Sequence, residues 1–331
     1  MRLRGGFFRT WISLALLAFA CNVGAQTITG QDTLMWLQRM NKASRGINYS
    51  GTFVYQSHGR TETSHVVHVV DASGEHEKLE TLETPDGQPR EVIRTNDEVL
   101  SYLPQDRLVI VDRADVGGFP GRLINTMGAL SDFYSMHLGD VSRIAGRDAQ
   151  LLVLEPRDEM RYGHELWADV LTGLLLKARM VNDKTEAVEQ FEFNDISIGG
   201  YIDHDKIKSR YSHAADWVVV NARGTEVHPE DVNWVFRGLP PGFKQISFVR
   251  RPLKREGPEA YHAVFSDGLA TISVFVEPSQ GRSMSVPPTA SLAGSIGIYK
   301  RIMAEYQVTT LGEVPMAALK HVAEGVELRK K

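Results

Sequence analysis

The stretch Arg161–Lys177, RYGHELWADVLTGLLLK, combines dense polar residues with a Thr-Gly pair and an apolar run. Its middle has turn chemistry, because Asp169 can accept hydrogen bonds from its own turn and Gly173 can take a positive φ. His164 and Glu165 are adjacent, so on a strand they point to opposite faces and do not converge on one substrate. The stretch therefore predicts a β-hairpin and not a catalytic loop.

Both arms of this hairpin have the character of half-buried strands. After the turn, Leu174, Leu176, Ala178 and Met180 are spaced two apart, which predicts that they share one face, opposite Lys177 and Arg179. An earlier segment, YSGTFVYQ (residues 49–56), shows the same alternation with three aromatic residues on one face. The period of two predicts sheet on both sides of the hairpin.

Short segments with this period recur over residues 49–198, and turn residues separate them at short intervals. Links of that length join antiparallel strands, so the sequence predicts a meander and not βαβ units. In FEFNDISI the apolar phase changes between Phe193 and Ile196. The change predicts a bulge near Asn194 and Asp195 that returns both sides to one face.

Helices are predicted at both ends of the mature chain. Asp32 or Thr33 can cap an amphipathic helix over residues 32–44, and Pro315 can open a final helix with an apolar stripe that includes Val326. One or two short helices are predicted near 118–130, and the Gly/Ser/Ala/Pro-rich stretch 279–297 is predicted to be a mobile loop.

The predicted divisions are a signal peptide (1–25), a large N-terminal domain (26–203), a linker (204–216) and a small C-terminal domain (217–331).

The first 25 residues have the pattern of a secretory signal peptide. A basic start is followed by an apolar run from Trp11 to Ala20 and by small residues that end at Ala25. The run is too short to span a bilayer. Cys21 is the only cysteine, and the bulky Phe19 fits a lipoprotein cleavage box poorly, so lipidation and an uncleaved anchor are the minor alternatives. The sequence predicts a periplasmic protein without disulfides.

Charge and motifs exclude several classes of function. The chain has 37 basic and 41 acidic residues, and the part from Trp217 onward holds 14 basic and 11 acidic ones, a surplus too small to indicate nucleic-acid binding. HExxH, paired CxxC, GxSxG, GxGxxG and Walker motifs are absent. His65 and His68 are three apart, which places them on opposite faces of a strand. The sequence predicts no enzyme, no cofactor and no metal.

One basic group stands out in the second half of the chain. Arg250, Arg251, Lys254 and Arg255 surround Pro252. They are either a solvated strand end or a site for an anion or an acidic partner, and the sequence leaves both interpretations open.

Six blocks, in chain order, together resemble the RseB/MucB family of periplasmic regulators. They are YSGTFVYQ, LEPRDEMRYGHELWADVLTGLLLKARMV, FEFNDISIG, LPPGF, SDGLATISVFVEP and QVTTLGEVP. The Trp-x-Asp-x-x-Thr-Gly pattern of the hairpin is less specific by itself, since it also occurs in lipoprotein carriers. The resemblance implies a mainly β (α+β) fold: an unclosed antiparallel β-barrel with helices, similar to LolA and LolB, followed by a smaller domain of a sheet and a helix.

The resemblance also implies a function. RseB-like proteins bind the periplasmic region of a transmembrane anti-sigma factor of the RseA/MucA type and shield it from the first protease of the envelope-stress cascade, and lipopolysaccharide or other lipids loosen the complex. The curved sheet would then hold acyl chains, and the basic group would meet the anti-sigma segment. The candidate lipid-facing residues are Tyr49, Phe53, Tyr55, Trp167, Leu174, Leu176 and Met180.

Other functions stay open at this point. A periplasmic lipid or lipoprotein carrier of the LolA type would use the same curved sheet and the same hairpin. A periplasmic hydrolase is a third class, but no motif supports it. A homo-oligomer is possible, and the sequence does not decide the oligomeric state.

Overall fold

A computed structural model describes residues 30–83, 88–113, 130–212, 216–228, 232–252, 258–279, 281 and 286–329. The predicted signal peptide with Cys21, the basic residues Lys254 and Arg255, and most of the predicted helical region near 118–130 lie outside the described residues. No helix in the part of the chain that is described has the length and apolar character needed to cross a membrane.

The described chain is mainly β, as predicted. Its α-helices are α1 (Gly30–Gly46), α2 (Leu130–Phe133) and α3 (Met316–Glu324). The strands of the first sheet are β1 (Tyr49–Ser57), β2 (Arg60–Asp71), β3 (Gly74–Glu83), β4 (Glu91–Thr95), β5 (Glu98–Leu103), β6 (Leu108–Arg113), β7 (Tyr134–Ile144), β8 (Arg147–Pro156), β9 (Gly163–Asp169), β10 (Leu175–Val181), β11 (Ala187–Ile198) and β12 (Val218–Asn221). The remaining strands are β13 (Thr225–Glu226), β14 (Trp234–Phe236), β15 (Lys244–Pro252), β16 (Glu259–Ser266), β17 (Thr271–Pro278), β18 (Thr289–Ala293), β19 (Ile296–Met303), β20 (Tyr306–Gly312) and β21 (Val326–Leu328).

The first sheet is open. Its strand order is β12-β6-β5-β4-β3-β2-β1-β11-β10-β9-β8-β7, and in the described residues the two edge strands do not pair with each other. Every neighbouring pair is antiparallel except β12 with β6, which is parallel. We call the part of the protein built on this sheet the large domain.

Strand β12 was not expected in this sheet. Residues 217–331 were predicted to form the small domain, yet Val218–Asn221 extends the first sheet at its β6 edge. The three consecutive valines of β12 suit a strand in either sheet, so their composition does not indicate which sheet they join. The predicted domain boundaries themselves stay a prediction.

The predicted bulge in β11 is confirmed. Thr52 of β1 pairs with Asp195, whereas the next residue of β1 pairs with Phe193, so Asn194 is the extra residue. An extra residue restores the side-chain phase, because a strand has a period of two. As a result, Phe193 and Ile196 pack against the same hydrophobic cluster.

Helix α1 lies against the inner face of the first sheet. Leu37 and Met40 of α1 are almost completely buried, and they form one cluster with Tyr49 and Phe53 of β1 and Leu152 of β8. Full burial of an apolar side chain of this size stabilises the fold by about 1.5–3 kcal/mol. This cluster is the core of the large domain.

The second sheet has the order β13-β15-β16-β17-β20-β19-β18, and α3 packs on it at β19 and β20. Its core includes Ile272 and Val274 of β17, which are fully buried and alternate as predicted. Val326 was predicted on the apolar stripe of the last helix. It is buried in this core, but it lies in β21, because α3 ends at Glu324. We call the part built on this sheet the small domain.

The predicted mobile loop at 279–297 is wrong for residues 289–293. These residues form β18, which pairs with β19 over five positions. Gly, Ser and Ala are typical of loops, but a strand pair is held by backbone hydrogen bonds that need no particular side chain. All five residues are exposed, as expected for the outermost strand of the sheet.

Candidate functional site

The turn after β9 is built as the sequence predicts. The buried Asp169 accepts hydrogen bonds at Oδ2 from the backbone N–H and the hydroxyl of Thr172, at 2.8 and 2.7 Å. Gly173 has a φ of 82°, which a side chain would disfavour. Burial alone would raise the pKa of Asp169, but hydrogen bonds from Arg147 and Thr172 hold the pKa below its ordinary value. The Asp-x-x-Thr-Gly sequence is therefore a structural motif.

Helix α1 is fastened to this turn. A terminal nitrogen of Arg39 donates to the carbonyls of Val170 and Leu171 at 2.7 and 2.6 Å. A β-carbon added at Gly173 would lie 2.7 Å from Cγ of Arg39. The glycine thus serves both the turn and the close approach of α1.

The residues after the turn do not share one face as predicted. Leu175 pairs with Ala168 and Lys177 pairs with Trp167, so Leu176 is an extra residue in β10. This bulge puts Leu176 in a small cluster with Trp167, whereas Leu174 belongs to the core of the large domain. The interpretation that Leu174 and Leu176 line one surface is wrong because of the bulge.

The aromatic candidates for lipid contact lie on one face of β1, as predicted. Tyr49 and Phe53 are buried in the same cluster as Leu37 of α1. Tyr55 is only partly buried, and its hydroxyl lies 3.3 Å from Oγ of Ser295 in the small domain. Met180, the last candidate, is buried on β10. These residues fill the interior of the large domain, and their contact with lipid stays a prediction.

Arg161 joins the two domains. Its side chain is fully buried, and one terminal nitrogen donates to Oδ2 of the equally buried Asp267 at 2.7 Å. The other terminal nitrogen donates to the carbonyl of Pro241 at 2.7 Å, and Nε donates to Asp158 at 3.1 Å. Each nitrogen of the guanidinium therefore has a partner, which is the condition under which a buried charge is tolerated.

The Asp267 carboxylate accepts hydrogen bonds both from the β16–β17 turn, in which it lies, and from the large domain. Oδ1 accepts the backbone N–H groups of Leu269 and Ala270 at 3.0 and 2.8 Å. Oδ2 accepts the Arg161 nitrogen and the Tyr134 hydroxyl, which lies 3.2 Å away. Burial, and then the Asp267 carboxylate, raise the pKa of Tyr134 well above its ordinary value, so the hydroxyl keeps the proton that it donates.

Three aromatic rings surround the guanidinium of Arg161. Its central carbon lies 4.9 Å from the ring centroid of Phe133, 5.6 Å from that of Tyr134 and 5.4 Å from that of Phe243. Phe133 also packs directly on Gly242, where a β-carbon would overlap its ring. Rings from both domains thus provide the faces that a buried cation prefers.

His164 lies beside this contact, with its ring centroid 6.2 Å from that of Tyr134. Glu165 points to the other face and bonds Arg179 at 2.7 Å, so the predicted divergence of the two side chains is confirmed. Nε2 of His164 is buried and has no hydrogen-bond partner within the described ranges. Burial lowers the pKa of His164 to about 4, although Asp267 opposes the shift. The imidazole is therefore neutral at neutral pH.

Each domain also inserts an apolar side chain that packs against the core of the other domain. Leu269, from the β16–β17 turn, packs against the core of the large domain. Met160, from the loop before β9, packs against the core of the small domain. The two side chains lie on the two loops that carry Asp267 and Arg161.

The basic group of the small domain is partly engaged. Arg251 donates to Asp112 of β6 at 2.8 Å, so it contacts the large domain. Arg250 is paired with Glu259 at 2.9 Å. Both guanidinium groups thus have a carboxylate partner, and their proposed role in binding an anion or a partner stays a prediction.

The segment predicted as a linker is attached to the first sheet. It contains a 3-10 helix, His204–Ile207. Beyond it, Ser209 donates to the buried Glu91 at 2.7 Å, and Lys78 donates to the carbonyl of Lys208 at 3.0 Å. This part of the segment therefore lies along β3 and β4 of the large domain.

Nothing in the described ranges has the geometry of a metal centre, since no group of three or more His, Cys, Asp or Glu side chains there could hold an ion. The site that the structure does show is a contact between two domains, built from a buried ion pair, aromatic rings and exchanged apolar side chains. It defines a two-domain, mainly β protein with an open sheet.

Comparison with known proteins gives the family. The sequence-family model of the MucB/RseB N-terminal domain matches residues 32–211, and the family model of the MucB/RseB C-terminal domain matches residues 228–327. The chain therefore belongs to the MucB/RseB family.

Named relatives match over almost their whole length. The sigma factor AlgU regulatory protein MucB of Pseudomonas aeruginosa is 33% identical over 88% of this chain and 90% of its own. The sigma-E factor regulatory protein RseB of Escherichia coli is 26% identical over 96% of this chain and 97% of its own. Among solved structures, MucB in the Pseudomonas aeruginosa MucA/MucB complex matches with a TM-score of 0.71 at 29% identity, over 91% of this chain and 100% of that one.

The domain contact was not predicted from the sequence. Arg161 was assigned only to the start of the hairpin block, and Asp267 only to the turn of another hairpin. The available signal was the concentration of polar residues and glycine in the SDGLA turn, but a local turn motif does not indicate a partner 106 residues away.

Proposed function

We propose that this protein is a periplasmic negative regulator that binds the periplasmic region of a transmembrane anti-sigma factor and shields it from regulated proteolysis. The full-length likeness to MucB carries the proposal, because the relative is named a sigma factor regulatory protein and its solved structure is a complex with MucA. The likeness covers both domains, so the proposal concerns the whole chain.

Two further parts of the proposal concern location and chemistry. The periplasm is supported by the sequence of residues 1–25, which has the pattern of a signal peptide. A binding role without catalysis is supported by the divergence of His164 and Glu165 and by the structural role of Asp169. The polar residues of the hairpin that invite a catalytic interpretation are used to build the fold.

The partner surface is proposed to include the basic group of the small domain. An acidic partner segment would have to replace Glu259 at Arg250 or Asp112 at Arg251, because both arginines are already paired. Lys254 and Arg255 would add positive charge nearby. Exchange of one carboxylate for another costs little when the pair is exposed to water, so Arg250 is the better candidate of the two.

Sensing of a lipid or of lipopolysaccharide is the second part of the proposed regulation. A ligand shifts a binding equilibrium only by its difference in affinity for the two states. Tyr49 and Phe53 are buried in the same cluster as Leu37 and Met40 of α1, so an acyl chain that reached them would disturb the packing of that helix. We therefore propose that lipid binding and movement of α1 are coupled.

Calorimetric titration of the secreted chain (residues 26–331) against the periplasmic segment of the anti-sigma factor tests the proposal. We expect saturable binding at micromolar concentration or tighter, and slower cleavage of the segment by the cascade protease. A repeat with lipopolysaccharide should weaken the binding, and light scattering of the same samples shows whether the protein is a homo-oligomer. Absence of binding at micromolar concentration would argue strongly against the regulator.

The alternative function is a lipid or lipoprotein carrier. A carrier should move a lipidated protein from one vesicle to another without an anti-sigma segment. Transfer together with no binding of the segment would favour the carrier. Binding without transfer would favour the regulator.

A further inference from the structure

The contact between Arg161 and Asp267 differs from the other links between the domains. We propose that it is a latch, which fixes the orientation of the small domain on the large one, and that its release frees the β16–β17 turn from the large domain. The inference does not depend on the proposed function.

Burial distinguishes the latch from the other ion pairs between the domains. Among those within the described ranges, only Arg161 and Asp267 both have side chains with no exposed surface. Arg251 and its partner Asp112 are 19% and 31% exposed. Exposed pairs are weakened by water and salt, whereas a buried charge without its partner is strongly unfavourable. Water and salt can therefore weaken the exposed ion pairs in small steps, whereas the buried pair of Arg161 and Asp267 is either formed or broken.

The hydrogen bonds of Asp267 make the latch depend on both domains. One oxygen caps the β16–β17 turn through the amides of Leu269 and Ala270, and the other oxygen bonds Arg161 and Tyr134. If the small domain turned away, the carboxylate would keep its turn but lose both partners in the large domain. Two arrangements, engaged and disengaged, are thus possible with few states between them.

The exchanged apolar side chains would follow the latch. Leu269 is two residues from Asp267 and packs on the core of the large domain, and Met160 is adjacent to Arg161 and packs on the core of the small domain. Disengagement would withdraw both side chains at once and expose apolar surface at both ends of the contact. This surface favours the engaged arrangement in water.

Distance measurement between the domains tests the latch. Residues 26–331 contain no cysteine, so a spin label attaches only where a cysteine is introduced. Lys184→Cys on the large domain and Ala317→Cys on α3 place the two labels at exposed positions. Asp267→Asn keeps an acceptor for the two turn amides and places an uncharged amide beside the guanidinium. We expect this variant to show a second, longer distance population that the labelled parent lacks.

Glu165→Gln is the matched control, because Glu165 forms its ion pair with Arg179 inside the large domain, on the same hairpin. It should leave the distance distribution unchanged. A single unchanged population in Asp267→Asn, with native near-ultraviolet circular dichroism, would overturn the proposal.

A milder variant covers the case in which Asp267→Asn does not fold. Tyr134→Phe removes only the hydroxyl and keeps the ion pair. Amide exchange of the peptide that contains Leu269 and Ala270 should become faster in this variant. Unchanged exchange and an unchanged distance distribution in Tyr134→Phe would then reject the latch.

Discussion

Arg147 forms a bidentate ion pair with Asp169: Nε donates to Oδ1 at 2.7 Å, and a terminal nitrogen donates to Oδ2 at 3.2 Å. The same carboxylate holds Thr172, so one side chain joins the start of β8 to the turn after β9. We expect Asp169→Ala to lower the free energy of unfolding by about 2–4 kcal/mol, because it leaves buried donors without an acceptor. Urea denaturation measures the change.

Asp148→Ala is the control for this substitution. Asp148 pairs with Arg143 at 2.9 Å, but both side chains are more than half exposed. The expected loss is below about 1 kcal/mol. Equal losses in the two variants would show that the Asp169 contacts do not stabilise the fold beyond an ordinary surface pair.

Gly173→Ala should destabilise the protein by about 1–3 kcal/mol, from the positive φ and from contact with Arg39. Gly199→Ala separates the two causes. Gly199 has a similar φ of 85°, but nothing lies within 4 Å of its added β-carbon. A larger loss for Gly173 in thermal denaturation would confirm the close approach of α1, and equal losses would contradict it.

Stability should fall as the pH is lowered from 6.5 to 4. Burial lowers the pKa of His164 to about 4, and burial together with Arg251 lowers the pKa of His262 to about 4, against 6.5 for an ordinary histidine. The unfolded chain takes up protons in this range that the folded chain does not, so the contribution is complete above pH 6.5 and is lost on acidification. It amounts to as much as about 3 kcal/mol per histidine.

Urea denaturation at several pH values measures this dependence. Replacement of His164 by Gln should reduce the slope of unfolding free energy against pH between 4 and 6.5. Replacement of His262 should reduce it separately, because the two residues lie in different domains. Slopes that match the unsubstituted protein in both variants would refute the assignment.

Arg301→Met should destabilise the small domain by about 1–3 kcal/mol. Nε of Arg301 donates to the carbonyl of Ala323 at 2.8 Å, and a terminal nitrogen donates to the carbonyl of Val326 at 3.1 Å. The first bond satisfies a carbonyl in the last turn of α3, where carbonyls lack partners within the helix. The second bond attaches Arg301 to β21, the strand that follows the helix. Lys300→Met, at the exposed neighbouring position, should change the midpoint of thermal unfolding little, and a comparable drop there would argue against capping.

Local features of the fold could be predicted because they depend on neighbours in the chain. The turn at Asp169 and the bulge at Asn194 follow from side-chain chemistry and from a change of apolar phase. The bulge at Leu176 could not be predicted, since Leu174, Leu175 and Leu176 are all apolar and the alternation therefore shows no break there. A phase change is visible only where polar and apolar residues alternate.

Features that depend on distant pairing were missed for a different reason. β12 joins β6 through backbone hydrogen bonds, which any short apolar segment can make. Arg161 and Asp267 are a common residue pair, and the chain contains many arginines and aspartates. Which two of them meet depends on how the sheets pack, and local periodicity does not contain that information.

The exchange of Leu269 and Met160 limits how the two halves of this protein can be recombined. A half taken from one relative and a half taken from another would each bring a side chain shaped for a different receiving core. Cores tolerate changes of volume poorly, so such a hybrid would have a void at one end of the contact and crowding at the other. Substitutions at these two loops should therefore accumulate in step with the core of the opposite domain.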